Sequence, residues 1–265
     1  MTGIQELKGR WALVLGASSG MGAACARTLA DQGVHIIGVH FDTAADQDRV
    51  EALTADLCSR GVETVFCNIN AANAKARAET IALMRGLVGE DGLRIVLHSL
   101  AFGALLPYIG AEGEAIAARQ VSMTLDVMAN SLVYWSQDLH AGGLLRPGAK
   151  VFAMTSAGDQ RVTASYGAVS AAKSALAAHA RQLAVELAPH GVAVNLLRAG
   201  VTVTPSLERI PEHRELIAKA RDGNPHGRLT TPEDVAEFVA LFSRTDSSWM
   251  TGNIIGLDGG EVLTT

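Results

Sequence analysis

The chain has 265 residues, 48% of them apolar, enough for one sizeable domain with a buried core. Its formal charge of −5 and pI near 5.9, with no dense Lys/Arg cluster, exclude a basic field for nucleic acid or an anionic membrane and favour a small-molecule function. No apolar run approaches a membrane span, and the start MTGIQELKGRWALVLG lacks a basic leader and a small-residue cleavage site, so a cytoplasmic protein is expected.

Taken in chain order, apolar runs rich in β-branched residues stand at 11–15 (WALVL), 35–40 (HIIGVH), 63–68 (ETVFCN), 94–98 (RIVLH), 150–155 (KVFAMT), 192–197 (VAVNLL) and 254–258 (IIGLD). They predict seven strands. Helix-like stretches lie between most of them; in the first, Met21, Cys25 and Leu29 recur on one face and Gly33 is placed to stop the helix. Strand–helix–strand alternation implies right-handed crossovers and a parallel sheet covered on both faces. No repeat or linker divides the chain, so residues 1–265 are expected to form one unit. Cys25, Cys58 and Cys67 lack CxxC spacing and sit in apolar patterns; they read as small core residues, with no metal site or disulfide. The stretch 202–231, bounded by prolines and following a strand's carboxyl end, is a candidate substrate loop or lid, with an ordinary surface excursion as the alternative.

Directly after the first strand comes GASSGMG, with Gly16, Gly20 and Gly22 leading into a helix and Ser18, Ser19 and Met21 between them. Glycines at this turn let the chain bend, let backbone approach a pyrophosphate and let helix pack on strand, while the helix N-terminus attracts the anion. In this context the turn predicts a nicotinamide dinucleotide on an α/β Rossmann fold. The second strand ends in His40 and Asp42, beside the expected adenosine ribose. No Lys or Arg occurs from Val34 to Asp48 or within the glycine turn. An acidic Asp42 accepting from ribose hydroxyls favours NADH over NADPH.

Together these segments resemble the short-chain dehydrogenase/reductase superfamily from end to end. CNI (67–69) is similar to that family's acid-plus-valine pair beside adenine, with Asn68 and Ile69 in the two places. LHSLAFG (97–103) stands where most members carry Asn-Asn-Ala-Gly, and RAGVTVTP (198–205) resembles their Pro-Gly-x-Val-x-Thr-Pro. The resemblance implies cofactor contacts from Ser99, Leu100, Ala101, Gly200, Thr202 and Thr204, and substrate contacts from Phe102 and Gly103. The usual catalytic tyrosine lies four residues before the lysine. Here that place holds Val169, and Tyr166 precedes Lys173 by seven residues. This Tyr-x6-Lys spacing and the His98-Ser99-Leu100-Ala101-Phe102 segment are similar to those of enoyl-acyl-carrier-protein reductases. Ser156 falls at the catalytic serine of carbonyl reductases, where the commonest enoyl reductases carry a second tyrosine.

If 166–173 is helical, three residues displace a side chain by about 4.5 Å along the axis and turn it by about 300°. Tyr166 then lies about a turn farther from Lys173 than Val169, on much the same face. Carbonyl reduction needs an acid beside the carbon that receives hydride. In an α,β-unsaturated thioester hydride goes to Cβ, and charge appears on an oxygen two carbons away. Tyr166 is placed to meet that oxygen as a stabiliser and proton source. Lys173 is expected to hold the ribose hydroxyls and to favour tyrosinate character in Tyr166.

The expected activity is reduction of the C=C bond of an enoyl thioester carried by acyl-carrier protein or CoA, using NADH or NADPH, in fatty-acid or polyketide metabolism. Alternatives are a carbonyl reductase or alcohol dehydrogenase using the shifted tyrosine, and a non-catalytic dinucleotide-binding scaffold. The alanine-rich helix SAAKSALAAHARQLAVEL would allow close contact with a symmetry mate in a homotetramer or homodimer.

Overall fold

The computed structural model describes residues 4–111, 113–159 and 162–264. Its strands are β1 (Trp11–Leu15), β2 (His35–His40), β3 (Thr64–Asn68), β4 (Leu93–His98), β5 (Leu145–Thr155), β6 (Ala193–Ala199) and β7 (Ile254–Leu257). The α-helices are α1 (Gly20–Asp31), α2 (Gln47–Ser59), α3 (Ala74–Leu87), α4 (Ala118–Leu125), α5 (Ser131–Ala141), α6 (Gly167–Leu187), α7 (Pro205–Glu208), α8 (His213–Gly223), α9 (Pro232–Phe242) and α10 (Glu261–Thr264). All strands run parallel in one seven-stranded sheet of order β3-β2-β1-β4-β5-β6-β7. This is the expected Rossmann fold.

Alternation along β1 shows why the strand runs were continuously apolar. Trp11, Leu13 and Leu15 enter a core under α3, α5 and α6; Ala12 and Val14 enter a second core under α1, α2 and α9. Both faces of the strand are buried, so neither position of the pleat is free to be polar. The face of α1 read from the sequence is confirmed, with Cys25 and Leu29 buried and Met21 packed at the margin. On α6 the alanines Ala168, Ala172, Ala177, Ala180 and Ala184 face the chain's own sheet and bring the helix close to it.

Two expectations need correction. Cys58 is exposed on α2 rather than part of the core; Cys25 is buried and Cys67 half-buried. β5 begins at Leu145, five residues before the run KVFAMT, because Leu145 pairs with Leu93 and the register then shifts around Pro147 and Gly148. Those two residues read as breakers, but a shifted register accommodates them without ending the strand.

At the amino ends of β4 and β5, Arg94 donates to the carbonyls of Ser243 and Thr245 and to Asp246, while Lys150 Nζ donates to the Ser247 carbonyl at 2.6 Å. These buried cations fix the loop after α9. At the opposite, carboxyl ends, β1, β4, β5 and β6 deliver the glycine turn, His98, Ser156 and Gly200 to one crevice, where open α/β sheets bind ligands.

Candidate active site

The glycine turn is built for close backbone approach. A Cβ on Gly22 would stand 2.0 Å from the Gly16 carbonyl oxygen, so only hydrogen fits there. Ser19 begins α1 without a side-chain cap bond, leaving first-turn amides to face an anion. Thr204 caps α7 by accepting from Leu207 N at 3.2 Å, and its methyl lies against Gly20, so the β1 and β6 loops meet at the expected pyrophosphate place. These features fit a nicotinamide dinucleotide. Thr202 differs from expectation: it is buried and its hydroxyl donates to the Gly200 carbonyl, so that hydrogen is not available to a carboxamide. Glu261 accepts from Val201 N at 3.0 Å and fixes the same loop.

At the end of β2, Asp42 is more heavily engaged than the sequence suggested. It pairs with His40 Nδ1 at 2.8 Å and Arg49 at 2.9 Å. Burial would raise its carboxyl pKa, but hydrogen bonds from Ser18, His40 and Arg49 and the guanidinium charge hold it below the usual range. Arg49 also donates to the Ser18 carbonyl and to Asp46. It is the cation the sequence search missed, one residue past the window inspected; a helix beginning after Asp46 folds its first turn back over the ribose place. Asn68 grips the Asp42 backbone from both sides, accepting from its N–H and donating to its carbonyl. Ile69 N donates to the His40 carbonyl at 2.8 Å. Asn68 and Ile69 therefore shape the Asp42 loop.

After β4, Ser99 N donates to the Leu15 carbonyl, and Ser99 and Leu100 pack against Gly16. Ala101 and Phe102 are exposed, Phe102 edge-on to Phe41 at 6.4 Å. Gly103 has a sharper role. A Cβ there would stand 2.5 Å from Val169 Cγ2 and 2.9 Å from Met128 Sδ, so the loop lies directly on Val169. Val169 is 4% exposed. The usual tyrosine position is thus filled, apolar and covered.

Tyr166 is the N-cap of α6, not a residue inside it; the helix starts at Gly167, so the regular-helix offset holds only from there. The preceding Ser165 has φ 57°, a left-handed conformation unusual outside glycine, which sets the angle of entry. The Tyr166 ring packs over Gly158, and its hydroxyl hydrogen-bonds with Ser156. Tyr108 packs on the Gly167 backbone next to it. Burial raises the phenol pKa and the Ser156 bond only partly opposes this. That corrects the expected tyrosinate character: Tyr166 is a neutral hydrogen-bond donor near pH 7. Lys173, 6% exposed, donates from Nζ to the Met154 carbonyl at 2.6 Å. Ser156, Tyr166 and Lys173 therefore gather at the carboxyl end of β5 and the start of α6.

Residues 16–261 match the family model described as Enoyl-(Acyl carrier protein) reductase. An enoyl-[acyl-carrier-protein] reductase [NADH] of Enterococcus faecalis is 27% identical, covering 91% of each chain. L-xylulose reductase of Bos taurus is 28% identical over 98% of this chain and 99% of its own. A short-chain dehydrogenase from Burkholderia cenocepacia, solved with NADP, superposes with TM-score 0.82 at 24% identity over 97% of this chain and 100% of its own. With the sheet order, the glycine turn and a family match across nearly the whole length, this chain is an oxidoreductase that belongs to the short-chain dehydrogenase/reductase superfamily, in its enoyl-acyl-carrier-protein reductase-like branch.

Proposed function

We propose that the protein reduces the C=C bond of an α,β-unsaturated acyl thioester, carried on acyl-carrier protein or CoA. The carrying observation is that Val169, buried under Gly103, occupies the place of the usual acid, while the phenol stands back at Tyr166. A nicotinamide dinucleotide, when bound, supplies the hydride. The glycine turn and the α1 N-terminus hold its pyrophosphate, Asp42 accepts from its adenosine ribose, and Lys173 holds its second ribose. Tyr166, kept neutral by burial, donates a hydrogen bond to the thioester oxygen as negative charge gathers there. Ser156 orients that phenol. Phe102, Gly103 and the loop over 202–231 enclose the acyl chain and exclude water.

Asp42 favours NADH. Arg49 stands beside it to meet a 2′-phosphate, so NADPH is accepted more weakly. The Ser156–Tyr166 hydrogen bond favours one second reading, reduction of a carbonyl held between the two hydroxyls. Following nicotinamide absorbance with crotonyl-CoA and with acetoacetyl-CoA separates the two. Oxidation with crotonyl-CoA alone is the expected result, and oxidation with acetoacetyl-CoA alone overturns the proposal.

A further inference from the structure

β4 ends in His98, which is 1% exposed and whose ring lies on the face covered by α5 and α6. Its Nε2 is 2.8 Å from Ser131 Oγ, and Ser131 Oγ is 2.7 Å from the Val127 carbonyl. A carbonyl only accepts, so the single hydroxyl hydrogen of Ser131 is directed to Val127. Toward His98 the same oxygen must accept, which makes Nε2 the protonated nitrogen. Burial, with the charge of Lys173 next in weight, pushes the His98 pKa down to about 3, so the ring is neutral and Nδ1 carries a lone pair. That atom is buried and has no hydrogen-bond partner among the described residues. Natural structures seldom leave such an acceptor unpaired without a use for it. The anchor is itself specially placed: a π-helical segment, Asp126–Asn130, joins α4 to α5 and delivers Ser131 to the imidazole. Lys173, whose charge acts on this ring, carries three N–H donors, one of them directed to Met154.

We infer that His98 is a positioning residue for Lys173: locked by Ser131 as the Nε2–H tautomer, it offers Nδ1 as an acceptor to the lysine ammonium. The cation is then held on its sheet side by a carbonyl and an imidazole, with its remaining donor directed to the cofactor. The link to catalysis rests on the role proposed above for Lys173; the tautomer and the contact do not.

The test uses the full chain with ¹⁵N-labelled histidine. Long-range ¹H–¹⁵N spectra between pH 5 and 8 are expected to show His98 protonated at Nε2 and not titrating. In Lys173→Met the Nδ1 resonance should move to that of an unbonded lone pair. A second arm measures NADH affinity by fluorescence titration. In His98→Asn the amide replaces Nδ1, and in His98→Gln it replaces Nε2 and keeps the Ser131 anchor. Retention of affinity within about threefold by Asn, with about tenfold loss in Gln, is expected. A purely structural role predicts the reverse order. An Nδ1 resonance indifferent to Lys173→Met, or Gln binding better than Asn, overturns the inference. Failure to reduce crotonyl-CoA would sink the proposed reaction while leaving both readouts intact.

Discussion

Replacing Tyr166 by Phe separates chemistry from packing more cleanly than any other change at this site. The phenylalanine keeps the ring that closes over Gly158, where Tyr166 Cε1 would stand 2.6 Å from a Cβ, so the walls of the crevice do not move. What disappears is a hydroxyl that is mostly buried and hydrogen-bonded to Ser156. That bond contributes about 1 kcal/mol to stability, partly offset because a polar group no longer has to be buried, so Tm should shift by no more than about 5 °C. Loss of one donor aimed at a developing oxyanion is far larger, about 10²–10³ in kcat, or ~3–4 kcal/mol. Steady-state nicotinamide absorbance at saturating crotonyl-CoA measures kcat, and fluorescence titration measures NADH affinity, which should stay within about twofold. A well-folded variant turning over within about threefold of the parent would show that the phenol does not meet the charge.

Three further outcomes are expected. Gly22→Ala places a Cβ 2.0 Å from the Gly16 carbonyl; the shift this forces should cost about 1–3 kcal/mol in urea denaturation and weaken NADH at least about tenfold by fluorescence. Asp42→Ala removes the ribose acceptor and releases Arg49, so the ratio of kcat/KM for NADPH to that for NADH should rise about tenfold, whereas Arg49→Ala should depress NADPH alone. Burial, then the neighbouring Arg94, pushes the Lys150 ammonium down to about 8 against opposition from Asp246. The unfolded chain, with lysine near 10.4, binds more protons between about pH 8 and 10.4, so stability contributed at this site rises with pH through that window. Urea denaturation at both ends should show the parent gaining on the order of 2 kcal/mol relative to Lys150→Met; equal pH dependence would mean that Lys150 carries no such penalty.

The architecture was legible because both faces of the sheet are covered. Runs such as HIIGVH have no polar position to blur them, and β1 and β2 begin and end where the apolar letters do. β5 was misjudged at its start because Pro147 and Gly148 carry local signals that a register shift overrides. At the site, the spacing of Tyr166, Val169 and Lys173 was visible in one line of sequence. Contacts between distant segments were not: Arg49 reaching Asp42, or Gly103 lying on Val169, are consequences of how helices and loops fold back over strand ends. The upward displacement of the Tyr166 pKa was equally hidden, since it depends on burial by segments far away in sequence.

The contact of Gly103 with Val169 has an evolutionary implication. Reinstating a phenol at 169 by a single substitution would drive a large ring into backbone 2.5 Å from a hypothetical methyl, so the loop after β4 would have to be rebuilt at the same time. Drift toward ordinary ketone chemistry therefore faces a paired barrier, one change in a side chain and one in the path of the main chain. Descendants of this protein should diversify by altering what they saturate sooner than by changing which kind of bond they reduce.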